Sequence, residues 1–295
     1  MAFRSGFVSI IGCPNAGKST LLNALVGQKV SIVSDRAQTT RNRIVGVVTD
    51  QETQMIFLDT PGMTSPKNKL GDFMQKTASD ALRDVEAVLY LVDGEHGIGD
   101  RDSAVIQKLR KCKAPVVAVV NKIDRISEEK ADALMEQLKE QGCFADVCKI
   151  SAINGTGLES LLDILRKYLI EGPKYYPDDM ITDQPERMIC AEMIREQALR
   201  LIQEEIPHGI GVSMDRIQYR EDRNLADMYA TIYCERSSHK AIIIGKNGSM
   251  LRKIGTAARK EIEEMLGCQV NLQIWVKEKE DWRNKPAVLH ELGYE

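Results

Sequence analysis

The residues Gly12-Cys13-Pro14-Asn15-Ala16-Gly17-Lys18-Ser19 run as G-x-x-x-x-G-K-S and continue into Thr20. That spacing suits phosphate binding. Glycine lets backbone N–H groups crowd around an anion, and a helix beginning at Lys18 turns its positive end toward it. Lys18 is then expected to reach the β- and γ-phosphates of a nucleotide and Ser19 to ligate Mg²⁺. Cys13 reads as filler. A glycine-rich turn without a ligand would spell the same in isolation, so the flanks decide. An apolar run over residues 7–11 precedes the loop and a helix-forming stretch over residues 20–25 follows it.

Three further short motifs carry chemistry of a matching kind. In Asp59-Thr60-Pro61-Gly62, Asp59 is placed to hold Mg²⁺ through water, and the Gly62 N–H can approach a γ-phosphate because no side chain intervenes. In Asn121-Lys122-Ile123-Asp124, the Asp124 carboxylate can accept two hydrogen bonds from the N1 and N2 donors of guanine, which adenine does not offer. A mismatched base would leave that carboxylate unpaired, which discriminates by about 10⁴-fold. Lys122 can lay its stem over the base. At Ser151-Ala152 a small residue lets a backbone N–H meet the guanine carbonyl oxygen.

These motifs need elements to hold them, and the pattern supplies them. Apolar runs at residues 7–11, 54–58, 87–92, 115–120 and 147–150 alternate with helix-periodic stretches at 18–26, 69–82, 102–111, 128–141 and 157–169. Continuous apolar strands separated by helices predict an α/β domain whose mostly parallel sheet is covered by helices on both faces. Ligands of such sheets bind beyond the carboxyl ends of the strands. All four motifs stand at predicted strand ends. Their order makes the first half resemble the translation-factor-like class of GTPases over residues 4–171.

That resemblance gives the segment 34–43, with Gln38-Thr39-Thr40-Arg41, the part of an order-disorder switch in which Thr40 completes the Mg²⁺ shell when a γ-phosphate is present. Position 63 departs from the best-known members: Met63 stands where a glutamine would orient water, so intrinsic hydrolysis is expected to be slow. Loops of the form Pro-Asn-x-Gly-Lys-Ser resemble those that recruit K⁺ beside the phosphates, which makes Asn15 a candidate K⁺ ligand. Lys18, Thr40, Gly62 and Asn15 are the expected catalytic set.

The chain has 295 residues, enough for two cores, and a formal charge of −3 that gives no whole-chain case for nucleic acid. Seven cysteines lack metal-type spacing and suit a reducing compartment. Residues 1–6 carry no apolar signal segment and no later apolar run approaches about 18 residues, so neither export nor a membrane span is expected.

A proline, glycine and acidic cluster at residues 171–179 marks a boundary. Beyond it a helix is predicted over 186–205, strands over 211–219 and 226–234, a short helix, Gly245-Lys246-Asn247-Gly248, a helix over 249–266 and a strand over 268–277. From Arg236 to Lys260 there are seven Lys or Arg residues and no Asp or Glu. A solvated helical face is the plainer reading of a basic helix. Its coincidence with G-x-x-G favours RNA, because the glycines bring a sugar-phosphate backbone close to the main chain. Lys240, Lys246, Arg252 and Lys253 would supply charge, with Ile243 and Ile244 beside them. At least two of Ile242, Ile243 and Ile244 are expected in the core. Trp275 is expected to pack in the sheet rather than stack on a base, and His239 to make a local cap or loop contact.

The order of elements matches an α+β KH domain of the second topology. A phosphate-loop domain with Gly-Cys-Pro-Asn-Ala-Gly-Lys-Ser, Gln-Thr-Thr-Arg and Asp-Thr-Pro-Gly, joined to one such domain, resembles the Era family. The segments 176–187 and 281–285 are also similar to it. The resemblance implies a GTPase domain over 4–171, a linker over 172–187, a KH domain over 188–280 and a helical tail over 281–295. It further implies GTP hydrolysis with Mg²⁺, binding near the 3′ end of 16S rRNA, assistance to 16S rRNA processing and 30S subunit assembly, and a cytoplasmic monomer associated peripherally with the inner membrane face. An RNA-binding module using GTP and GDP as a slow occupancy sensor is the alternative. GTPases of membrane transport or tRNA modification would need spanning helices or a methylene-transfer domain, and the sequence predicts neither.

Overall fold

The computed structural model describes residues 2–34, 36, 39–62, 66–203 and 206–294. The chain divides into two units. One comprises Met1–Ser31, Thr40–Ser65 and Met74–Asp183, the other Ile32–Thr39, Pro66–Phe73 and Gln184–Glu295. Among the described residues, no helix is long and apolar enough to cross a membrane.

The first unit is built on a seven-stranded sheet. In chain order its elements are β1 (Arg4–Gly12), α1 (Lys18–Val26), β2 (Ile44–Thr49), β3 (Thr53–Asp59), α2 (Lys69–Asp80, from Met74 onward) and β4 (Ala87–Asp93). There follow α3 (Asp100–Leu109), β5 (Val116–Asn121), α4 (Glu128–Glu140), β6 (Asp146–Lys149), α5 (Leu158–Arg166) and β7 (Ile170–Glu171). The strand order is β2-β3-β1-β4-β5-β6, with β7 antiparallel to β1. From β3 to β6 all neighbours are parallel. Continuous apolar strands are explained by two cores: Ala87, Leu89 and Leu91 point into one face, Val88, Tyr90 and Val92 into the other.

The strand β2 falls outside the predicted β-α alternation. Its run Ile-Val-Gly-Val-Val-Thr reaches β3 through a tight hairpin, in which the Asp50 carboxylate accepts the amides of Glu52 (2.9 Å) and Thr53 (2.6 Å). Because no helix intervenes, β2 runs antiparallel. The segment expected as a linker packs along this edge as far as residue 183. Val47 N donates to Ile181 O (2.8 Å), and the buried Gln54 side chain accepts from Tyr175 N (2.7 Å) and Tyr176 N (3.0 Å).

The second unit has a three-stranded sheet of order β10-β9-β8. Its elements are α6 (Glu186–Leu201), β8 (Gly211–Arg220), β9 (Leu225–Cys234), α7 (Ser237–Ile244), α8 (Ser249–Leu266), β10 (Gln269–Glu278) and α9 (Pro286–Glu291). The helix predicted to 205 ends at Leu201, because Ile202 is extended (φ −96°, ψ 136°). β8 and β9 form an antiparallel hairpin, and β10 adds parallel to β9. One sheet face is closed by α6, α7 and α8 over Met228, Ala230, Ile232, Ile254, Ala258 and Ile262. Trp282 is fully buried, its indole N–H donating to Gly209 O (2.8 Å), and Arg283 pairs with Glu235.

Candidate functional site: a phosphate cradle and a basic groove

Sheet topology brings the carboxyl ends of β1, β3, β5 and β6 to one edge, and each sequence motif leaves one of them. Gly17 has φ 94° and opens α1 without any side-chain cap, so the first amides of the helix are free to face an anion. A Cβ at Gly17 would collide with Asn121 Nδ2. Asn121 is the strut of this edge: Nδ2 donates to Ala16 O (2.9 Å) and Oδ1 accepts from Ala152 N (3.1 Å). It thereby ties the loop of residues 12–19 to Ser151-Ala152.

The side chain of Lys18 is folded across its own loop, with Nζ donating to Gly12 O (3.3 Å) and Cys13 O (3.2 Å). The residue is 7% exposed, and burial pulls its pKa down while the charge of Asp59 opposes this. An ammonium so placed gains most from a bound anion. Burial, then the Asp102 carboxylate, pushes the Cys13 thiol up to about 12, which disfavours the nucleophilic thiolate.

Asp59, fully buried at the end of β3, gathers three hydroxyls on Oδ2: Ser19 Oγ at 2.7 Å, Ser31 Oγ at 3.0 Å and Thr40 Oγ1 at 3.5 Å. Ser19 and Thr40 are themselves 2.9 Å apart. Asp59 Oδ1 is buried with no hydrogen-bond partner among the described residues, and burial raises the pKa of the carboxyl. A buried carboxylate oxygen without a partner, beside two hydroxyls, is an all-oxygen set that fits a hard cation such as Mg²⁺. Thr39 turns elsewhere, donating to Arg36 O (2.6 Å). Thr60 also turns away, into the core, where it donates to Ile10 O (3.0 Å). A Cβ on Gly62 would lie 3.2 Å from Pro14, which places its backbone against the loop; Pro61 precedes it. Asn15 is exposed with φ 67°, and Thr20 lies in the first turn of α1. Met63, the expected substitute for a glutamine, lies outside the described residues.

At the base end, Asp124 Oδ1 accepts from Ser151 Oγ (2.5 Å), and Ile123 N donates to Ile150 O (3.3 Å). Lys122 has φ 64° and its Nζ lies 2.6 Å from Asp93 Oδ2. Burial alone would raise the Asp93 pKa, but the hydrogen bond and charge of Lys122 outweigh it and the net direction is down. Ser31 and Asp93 are additions to the sequence reading. Asp93 stands at a strand's carboxyl end and was findable by that rule. Ser31 had no local signal: Asn23 Oδ1 on α1 accepts its amide (2.9 Å) and brings it in.

In the second unit, Gly245 (φ 72°) and Gly248 (φ 74°) hold left-handed backbone between α7 and α8, with Lys246 and Asn247 exposed between them. A groove of about 340 Å³ runs from Gly248 between α8 and β10, lined by Arg252, Gly255, Arg259, Leu272 and Ile274 among others. Gly255, Arg259 and β10 were missed, although 252, 255 and 259 share a helical face. Lys253 does not line this groove and Lys240 lies on α7. Ile243 is corrected: it is fully buried and presents nothing to a ligand, while Ile244 packs against the same core. Ile242, 46% exposed, is the isoleucine that faces solvent. His239 Nδ1 is buried without a partner among the described residues. Trp275 packs in the sheet as expected, its ring stacked on Tyr229 at 5.9 Å, and is 47% exposed on the face away from the helices.

Residues 7–122 match the family model described as 50S ribosome-binding GTPase, and residues 205–283 match the KH domain model. The chain is 50% identical over 295 residues to GTPase Era of Clostridioides difficile (strain 630), covering 99% of each chain. The chain belongs to the Era family of GTPases. Era of Alkaliphilus oremlandii is 49% identical with both chains fully covered. Two solved Era structures superpose with a TM-score of 0.94 at 40% identity over 99% of each chain. One is a variant of Aquifex aeolicus Era bound to GDP·AlF4⁻, the other an Era in complex with MgGDPNP and nucleotides 1506–1542 of 16S ribosomal RNA. The P-loop unit is accordingly a GTPase domain and the second unit carries a KH domain.

Proposed function

We propose that this protein hydrolyses GTP with Mg²⁺ and uses the nucleotide to set the affinity of its KH domain for 16S rRNA near the 3′ end, assisting rRNA processing and 30S assembly. The observation that carries the nucleotide half is the buried Lys18 ammonium beside the Ser19, Thr40 and Asp59 oxygens. The Era relative that holds both MgGDPNP and a 16S rRNA fragment supports the RNA half. Ser19 and Thr40 would hold Mg²⁺ directly and Asp59 through water. The metal supplies charge neutralisation at the β- and γ-phosphates. Lys18 and the amides of residues 15–19 hold the phosphates, Gly62 N–H faces the γ-phosphate, and Asp124 reads guanine together with the Ala152 N–H, which turns to the base from Asn121 Oδ1. Asn15 is the proposed K⁺ ligand; replacing K⁺ by Na⁺ is expected to slow hydrolysis.

We assign 4–171 to the GTPase domain, 172–187 to the connection, of which the residues up to 183 pack on the GTPase sheet, 188–280 to the KH domain and 281–295 to the tail. Gly245, Lys246, Asn247 and Gly248, with Lys240 and Arg252, form the proposed RNA grip. The family likeness and seven free cysteines support a cytoplasmic monomer, with peripheral association at the inner membrane face as part of the same reading. The test is binding of an RNA spanning 16S nucleotides 1506–1542 by protein loaded with GDPNP or with GDP. Tighter binding in the GDPNP state is expected. Equal affinity would overturn the switch, since a ligand with equal affinity for both states shifts neither.

A further inference from the structure

Residues 121–125, which carry the base-reading Lys122 and Asp124, leave the sheet beside a turn that none of the sequence motifs includes. Strands β4 and β5 are parallel neighbours whose ladder ends with Asp93 paired to Asn121. Beyond that pair the turn of residues 93–97 grips residues 121–125 at three points. Gly94 N donates to Asn121 O (2.9 Å), Asp93 Oδ2 lies 2.6 Å from Lys122 Nζ, and Glu95 Oε2 lies 3.0 Å from Arg125 Nη1. Lys130 Nζ adds a bond to Glu95 O (2.8 Å). The first grip requires glycine, since a Cβ at position 94 would stand 2.7 Å from Asn121 O.

The two ion pairs are unequal. Arg125 and Glu95 are exposed, and Arg125 is shared with Asp124, whose Oδ2 is 3.9 Å from its Nε, so water screens that pair. The side chains of Lys122 and Asp93 are only 23% and 12% exposed, and their separation is that of a strong charge-assisted hydrogen bond. His96 Nδ1 reaches the same Oδ2 (3.2 Å) from solvent. Turn-capping does not account for the pair. Asp93 Oδ1 accepts from Glu95 N (2.9 Å) and Asp93 O from Gly97 N (2.7 Å), which leaves Oδ2 to Lys122 and His96. Lys122 is also the strained residue of the segment, with φ 64°. A lysine in left-handed backbone persists where its surroundings over-determine it, and such strain collects at binding sites. With its ammonium fastened to Asp93 and its backbone continuous with Asp124, the stem between them is ordered before nucleotide arrives. Its rotamer entropy is then not lost on binding.

We propose that Asp93 is a positioning residue for guanine binding, anchoring the Lys122 ammonium so that the Lys122 stem is set over the base. This role rests on the reading of residues 121–124 as the guanine site. The test is the affinity of the full chain for GDP and for GDPNP with Mg²⁺, by isothermal titration. Asp93→Asn keeps the volume and the acceptor for Glu95 N, and turns an NH₂ group toward the ammonium, which it cannot bind. Both nucleotides are expected to bind about tenfold more weakly, and by the same factor, because they share the base. Asp93→Ala removes the anchor without that mismatch, should show the same loss, and keeps the test available if the first variant does not fold. Lys122→Met keeps the apolar stem without its charge and should lose a similar factor, and adding Asp93→Asn to it should weaken GDP no further. An Asp93 that only shapes its turn would give additive losses in that cycle. Wild-type affinity in either folded Asp93 variant overturns the proposal. So do additive losses, and so does a loss confined to GDPNP, which would put the effect at the phosphates. Failure of the underlying reading looks different: Asp124→Asn would then leave GDP affinity intact.

Discussion

Lys18 is the residue whose environment most constrains its role. A buried ammonium held by two carbonyl oxygens is poorly solvated, and a polyphosphate restores what burial removes. Lys18→Ala is expected to weaken GTP binding about 100-fold while leaving the melting temperature of nucleotide-free protein unchanged or higher. Isothermal titration together with thermal melting with and without GTP checks both halves. Cys13 shows the converse, a residue inside the site whose thiol is held protonated. Burial raises Cys13, Cys148 and Cys190 to about 12 each. A raised thiol pKa lowers the thiolate fraction, to about one in 10⁴ at pH 8. Alkylation at that pH followed by mass spectrometry should find these three unmodified, and rapid labelling of Cys13 would contradict its burial.

At the scale of elements, the edge of the GTPase sheet depends on one buried amide. Gln54 makes hydrogen bonds to Thr49 Oγ1 (3.0 Å), Tyr176 O (2.9 Å) and the amides of Tyr175 and Tyr176. Thr182 Oγ1 adds a bond to Val45 O (2.6 Å). Replacing Gln54 by Leu keeps the volume and leaves two amides and a carbonyl without protein partners. Stability should fall by about 2 kcal/mol, and amide exchange at Tyr175 and Tyr176 should accelerate more than in the core strands. The composition of residues 171–179, rich in proline, glycine and acid, reads as a boundary and says nothing of this packing. Gln54 lies in an apolar strand more than a hundred residues earlier, and only the fold makes them neighbours.

At the scale of the whole molecule, linkage demands reciprocity. If GDPNP raises affinity for the 16S fragment by some factor over GDP, the fragment must raise the preference for GDPNP by the same factor. Titrating each ligand at saturating levels of the other measures both, and unequal factors would mean that the two titrations follow different states. The sequence alone determined the motifs of this protein: the phosphate loop, Asp59-Thr60-Pro61-Gly62, Asn121-Lys122-Ile123-Asp124 and the G-x-x-G turn are each specified by a few contiguous residues. Short loops at strand ends depend on local backbone geometry and hydrogen-bonding type, which sequence spacing records directly. Only tertiary structure decided which side chains point where. Ser31 joined Asp59, β2 turned antiparallel, Ile243 was buried while Ile242 was not, and Trp275 came out on the open face of its sheet. Burial and register are set by residues distant in the chain, and a shift of one position in a strand moves a side chain from core to solvent.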